Sequence, residues 1–106
     1  MYTYRAKIIN VYDGDTCKAL VDLGFRITFE IKIRLSKINA PEVRGEEREE
    51  GLKSKKRLEE LILNKNVIIK TDKDKTEKYG RWLAEIFVND ENINQLLISE
   101  GYAKLY

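Results

Sequence analysis

From residue 25 to residue 36 the chain alternates without a break. Phe25, Ile27, Phe29, Ile31, Ile33 and Leu35 fall on one side; Arg26, Thr28, Glu30, Lys32, Arg34 and Ser36 fall on the other. Successive side chains of a strand point to opposite faces, so the pattern predicts a strand over 25–35 with one face buried. It is longer than most strands, which predicts a bend of the kind strands make around a small barrel. Upstream, residues 4–12 and 15–23 read as two more strands. They are joined at Asp13-Gly14, a strong short hairpin signal.

The period changes at residue 46. Glu46, Glu47, Glu49 and Glu50 come first, then Lys53, Lys55, Lys56 and Arg57. Acid at the start and base further on complement a helix dipole. Leu58, Leu61 and Ile62 repeat at helical spacing, with small Gly51 and Ser54 on the same face. Residues 46–63 are therefore expected to be a helix that stops near Asn64. Val67 to Thr71 reads as a fourth strand, Asp72 to Lys78 as a polar loop and Trp82 to Val88 as a fifth strand. Asn89-Asp90 turns the chain into a short helix around Ile93, Leu96 and Leu97, ended by Gly101. Three strands, helix, two strands, helix is the order of a five-stranded OB-type barrel. The expected class is α+β, mainly β, in one domain over 1–106.

Composition narrows the chemistry. Apolar residues make up 42% and charged residues 36% of 106, which excludes a disordered chain. The net charge of +2 does not announce a nucleic-acid partner, so any basic patch must be local. The single cysteine, Cys17, rules out an internal disulfide, and its place in a strand predicts a small buried apolar group. There is no histidine, so catalysis must use carboxylates, Lys, Arg, Tyr or a hard cation. No apolar run is long enough to span a membrane and no signal-peptide core is visible, so a cytoplasmic protein is expected; a monomer is expected as well.

Three polar clusters sit at strand ends or loops. Asp13-Gly14-Asp15-Thr16 is one. A hairpin needs only one Asp there, and a second carboxylate is repulsive unless positive charge is near. Arg34 with Asn39-Ala40-Pro41-Glu42 is another. The proline fixes an extended Ala40 and hence the direction of its carbonyl, and such oxygens suit hard cations. The third is Lys78-Tyr79-Gly80-Arg81, where glycine lets the backbone bend beneath the arginine. Each alone is more simply a turn or a solvated charge. Together, in this order and spacing, they resemble the staphylococcal nuclease (thermonuclease) family, over about residues 5–104. Its pattern runs D-G-D-T, then R-L-x-x-I-[DN]-A/T-P-E, then K/R-Y-G-R.

The resemblance implies a calcium-dependent phosphodiesterase acting on DNA or RNA. It implies that calcium is held by Asp15, Asn39 and the main-chain carbonyl of Ala40, with Asp13 orienting a ligating water. Arg34 and Arg81 would clamp the scissile phosphate, and Glu42 would activate or orient the attacking water. Lys78 and Tyr79 would touch a terminal phosphate. Tyr106 is left without a role because its register is off. The main departure is Asn39, a neutral ligand where the family's usual residue is acidic, which implies weak calcium binding. Two other readings stay open. One is a degenerate domain that binds nucleic acid or protein without cutting, although such domains usually lose the arginines and glutamate. The other is a plain single-strand binder with aromatic platforms. A cell, a phage or a mobile element could each encode such a domain.

Overall fold

The computed structural model describes residues 2–76 and 80–106, without the side chains of 73–76. In chain order the elements are β1 (Tyr2–Asp13), β2 (Thr16–Asp22), β3 (Thr28–Leu35), β4 (Ile38–Asn39), a 3₁₀ turn (Gly45–Glu47) and α1 (Arg48–Ile62). Then come β5 (Asn66–Thr76), β6 (Trp82–Val88), β7 (Glu91–Asn92), α2 (Ile93–Ser99) and β8 (Lys104–Leu105). Strand β1 pairs with β2 and β5, β2 with β3, β5 with β6, and β3 with β6. Those five pairings close a barrel, with β3–β6 the single parallel one among them. This is the expected five-stranded OB-type barrel, with α1 between its third and fourth strands and α2 near the end.

Its interior is made by alternate residues. Ile8, Cys17, Ala19, Ile33, Leu35, Ile69, Ala84 and Ile86 are buried, and Leu58 and Ile62 of α1 and Ile93 and Leu97 of α2 join them. Cys17 is fully buried; burial first, and then the charge of Asp13, push its thiol up to about 12. Asn94 joins three elements from the buried side. Its Nδ2 donates to Ser36 O at 3.0 Å and Ala84 O at 3.1 Å, and its Oδ1 accepts the Ile86 N–H at 3.2 Å. It therefore ties α2 to the end of β3 and to β6, next to the strand positions that carry Arg34. Among the described residues no helix is long and apolar enough to cross a membrane.

Two sequence expectations need correction. The third strand begins at Thr28, not residue 25. Phe25 and Arg26 have φ of 53° and 62° and occupy a tight turn, closed by Ile27 N–H to Gly24 O at 2.9 Å. Phe25, Ile27 and Phe29 are exposed, so only Ile31, Ile33 and Leu35 of the alternating set point into the barrel core. The hairpin outruns the barrel, and alternation continues past the point where there is an interior to face. The fourth strand, in turn, extends to Thr76, so the polar run from Asp72 starts as strand rather than loop. Backbone pairing is indifferent to side-chain polarity on a solvated edge.

Candidate active site

The β1–β2 turn carries Asp13 and Asp15 to the rim of the barrel that α1 covers. A bulge between Val11 and Asp13 turns the end of β1, a device common at barrel rims. The Asp13 carboxylate accepts the Asp15 N–H at 3.0 Å, locking the turn. A Cβ on Gly14 would stand 2.7 Å from the Ser54 Cβ and 2.8 Å from the Ala40 Cβ. Glycine lets the turn touch α1 and the segment leaving β4, and so sets Asp15 beside Ala40.

Asp15 is buried. Its Oδ2 accepts the Ala40 N–H at 2.8 Å and its Oδ1 the Thr16 hydroxyl at 3.1 Å. Arg34 arrives from β3. Its Nη2 lies 3.4 Å from Asp15 Oδ2 and 3.3 Å from Asn39 Oδ1, while Nη1 donates to Leu35 O at 2.8 Å. One guanidinium nitrogen thus touches both side chains expected to hold the cation. Arg81 enters just before β6 and donates to Thr16 Oγ1 at 3.4 Å. Arg81, Thr16, Asp15, Arg34 and Asn39 form a continuous chain of contacts. Strand register explains the convergence: Thr16 pairs with Arg34 across β2–β3, and Arg34 pairs with Leu83, two residues beyond Arg81, across β3–β6.

The electrostatics fit a cation. Burial, with hydrogen bonding to Asp13, raises the Asp15 carboxyl from 3.8 to about 6. The Ala40 N–H and the Arg34 charge oppose this without cancelling it. The Ala40 N–H and Arg34 do not fully offset the cost of burying the Asp15 carboxylate. The available donors are all hard oxygens: one carboxylate at Asp15, the amide of Asn39 and the Ala40 carbonyl. Among the described residues there is no group of three or more His, Cys, Asp or Glu able to hold a metal. The donor set therefore suits calcium in kind but is low in charge.

Glu42 follows Pro41 on the loop leaving β4 and is exposed. Its main chain rests on α1, because a Cβ on Gly51 would overlap the Glu42 carbonyl. Its N–H donates to Glu47 Oε1 at 3.5 Å. A glycine inside a helix costs about 1 kcal/mol relative to alanine, and this close approach is its reason. Lys78 and Tyr79 lie outside the described residues. Tyr106, left unassigned from the sequence, has its ring 5.9 Å from the Arg34 guanidinium carbon. The short β4–β8 ladder puts it there, pairing Ile38 with Leu105 and Asn39 with Lys104. Two-residue strands leave no periodic signal, so nothing in the sequence announced this pairing.

Residues 32–106 match the family model described as "Staphylococcal nuclease homologue". The chain belongs to the staphylococcal nuclease homologues. A Haemophilus influenzae protein named "Uncharacterized endonuclease" is 35% identical over 101 residues, covering 94% of this chain and 51% of its own length. "Endonuclease YncB" of Bacillus subtilis is 30% identical over 110 residues, covering 95% and 50%. An uncharacterized protein of Methanocaldococcus jannaschii is 33% identical over 128 residues, covering 97% and 59%. The chain spans about half the length of the curated relatives it matches. The family match begins at Lys32. The alignments with these relatives extend across β1 and β2 as well, and so take in the Asp13–Thr16 turn of this staphylococcal nuclease homologue.

Proposed function

We propose that this domain hydrolyses phosphodiester bonds of DNA or RNA, with calcium, cutting within the strand as the names of two relatives suggest. The observation that carries the reading is the contact chain from Arg81 through Thr16 and Asp15 to Arg34 and Asn39. Attack on a phosphodiester builds negative charge on the non-bridging oxygens, and two guanidinium forks can receive it. Asp15, Asn39 and the Ala40 carbonyl would hold the calcium, with Asp13 orienting its water. When bound, the ion supplies Lewis-acid polarisation of the phosphate. Glu42, exposed on a loop held by α1, is the carboxylate available to take the proton of the attacking water. Lys78 and Tyr79 complete the proposal as contacts to a terminal phosphate.

The weak charge of the metal site is the observation that favours the rival, a domain that binds without cutting. One assay separates them. Single-stranded DNA or RNA is incubated with protein plus calcium, with chelator, and with Arg34→Ala and Glu42→Ala. Cutting should need calcium, in the millimolar range because only Asp15 is charged. Each variant should lose about 100-fold or more. Tight binding with no cutting at any calcium concentration would hand the case to the rival.

A further inference from the structure

We propose that Lys18 and Lys32, with Tyr12, form a second phosphate site that holds the nucleic-acid strand one phosphate away from the bond being cut. This rests on the hydrolytic reading above and adds a grip on the substrate beyond the scissile phosphate. Across β2–β3 the rung that pairs Thr16 with Arg34 is followed by one that pairs Lys18 with Lys32. Two residues along a strand advance roughly 6.6 Å on the same face, so the lysines share the outer face with Arg34, one step behind it. Consecutive phosphates of an extended single strand are spaced on the same scale.

Like charges placed directly opposite in a sheet are destabilising, and a broken local rule points to a use for it. Nothing in the fold demands this pair. Lys18 has its charge offset by Glu30, diagonal to it, at 3.4 Å. Lys32 is exposed, and its ammonium stands 5.4 Å from the centre of the Tyr12 ring. Among the described residues no carboxylate is in salt-bridge range of Lys32. Lys32 thus rests over the Tyr12 ring across from Lys18, and the rung carries more positive charge than Glu30 offsets. The next rungs lead into an open groove of about 770 Å³ that Arg5 and Lys7 line. Arg26 joins them there against Asp22 and Asp90, so a small positive excess continues along the groove from the Lys18–Lys32 rung.

The test compares wild type with the Lys18→Gln, Lys32→Gln double variant on two substrates. One is a single-stranded oligonucleotide; the other is a dinucleoside monophosphate, which has no second phosphate. For the oligonucleotide, KM should rise about tenfold with kcat unchanged, and the slope of log KM against log salt should fall by about 0.7. Cleavage of the dinucleoside monophosphate should not change. Equal losses on both substrates, or an unchanged salt slope, would overturn the proposal. Binding of the same oligonucleotide in chelator, read by fluorescence anisotropy, keeps the two readings apart. Weaker binding by the variant with no cutting by wild type would sink the hydrolytic reading and keep the lysine rung. Normal cutting with unchanged binding would do the reverse.

Discussion

At one end of the barrel, Asp13 and Asp15 are carboxylates drawn into the protein among main-chain donors and a guanidinium. At the other, Leu23, Phe25, Ile27 and Phe29 are apolar groups left in water, Phe25 with 96% of its surface exposed. The two ends share β2 and β3, so strand composition does not distinguish them. Pairing does. Ile33 and Arg34 are paired on both sides, to β2 and to β6; among the described residues, 28–32 pair with β2 alone. The doubly paired half holds Arg34 in register with Thr16 and near Arg81. The singly paired half supports a hairpin tip and an apolar pocket of about 120 Å³ between Tyr4, Leu23, Phe29 and Trp82. A rim becomes a site where neighbouring strands fix charged groups against one another, not simply where polar residues occur.

The sharpest contrast between the ends should be in catalysis. Arg81→Ala at the site rim is expected to lower kcat/KM by about 100-fold or more, the scale of losing one preorganised donor. Phe25→Ser at the far end should leave it unchanged. Parallel losses would mean that the two ends are coupled and that the comparison is wrong.

The next effect is on stability. The native carboxyl of Asp15 titrates above its unfolded value, so its ionised form disfavours the folded state. In chelator, the contribution of Asp15 to stability should therefore improve as pH falls from about 7 through 6 towards 4. Asp15→Asn keeps an acceptor for the Ala40 N–H and removes the charge. At pH 7 it should stabilise the metal-free protein by up to about 3 kcal/mol, from 1.36 kcal/mol per unit. That gain should shrink below pH 5, and calcium should stabilise wild type but not the variant. Denaturant unfolding at pH 5 to 8 reads all three. A variant less stable at every pH would show that Arg34 and the main-chain donors already balance the charge.

How much of this was legible follows from which signals are local. Asp13-Gly14 as a turn, Arg34 as a strand residue and Asn64 as a helix stop, with φ of 61°, were readable because each depends on near neighbours. The gathering of Arg34 with Asn39, Asp15 and Arg81 was readable only through resemblance, since it depends on register between distant strands. The start of β3 was misread because alternation reports that a chain is extended, not that a core lies beneath it. One glycine tells the same story. Gly51 stood out as small on a helix face, but its contact with the Glu42 main chain is tertiary and leaves no periodic trace.

The far end offers a smaller effect with a definite sign. Thr71 is buried and lines the apolar pocket, and among the described residues its hydroxyl has no hydrogen-bond partner. An unpaired buried hydroxyl costs about 1 kcal/mol or more, and valine has the same shape without it. Thr71→Val should therefore raise stability by about 1 kcal/mol, a gain of roughly 4–8 °C in Tm for a domain of this size. No gain would mean that the hydroxyl is satisfied in solution, and that the far end is better organised than its exposed apolar groups imply.

The smallest effect lies at the tip itself. Gly24-Phe25-Arg26-Ile27 forms a tight turn with positive φ at both central residues, a geometry that favours Asn-Gly. Phe25 and Arg26 are poor choices for it, and Phe25 gains nothing by burial. Phe25→Asn with Arg26→Gly should relieve that mismatch and raise stability by roughly 0.5 kcal/mol, with cleavage unaltered. The turn residues are then poorly matched to their backbone and unrelated to the chemistry, as the comparison of the two ends requires. If thermal unfolding instead shows a loss beyond about 1 kcal/mol, Phe25 must be packed against something in solution. The far end would then be an interface, and its apolar surface would have a use that pairing within the barrel does not reveal.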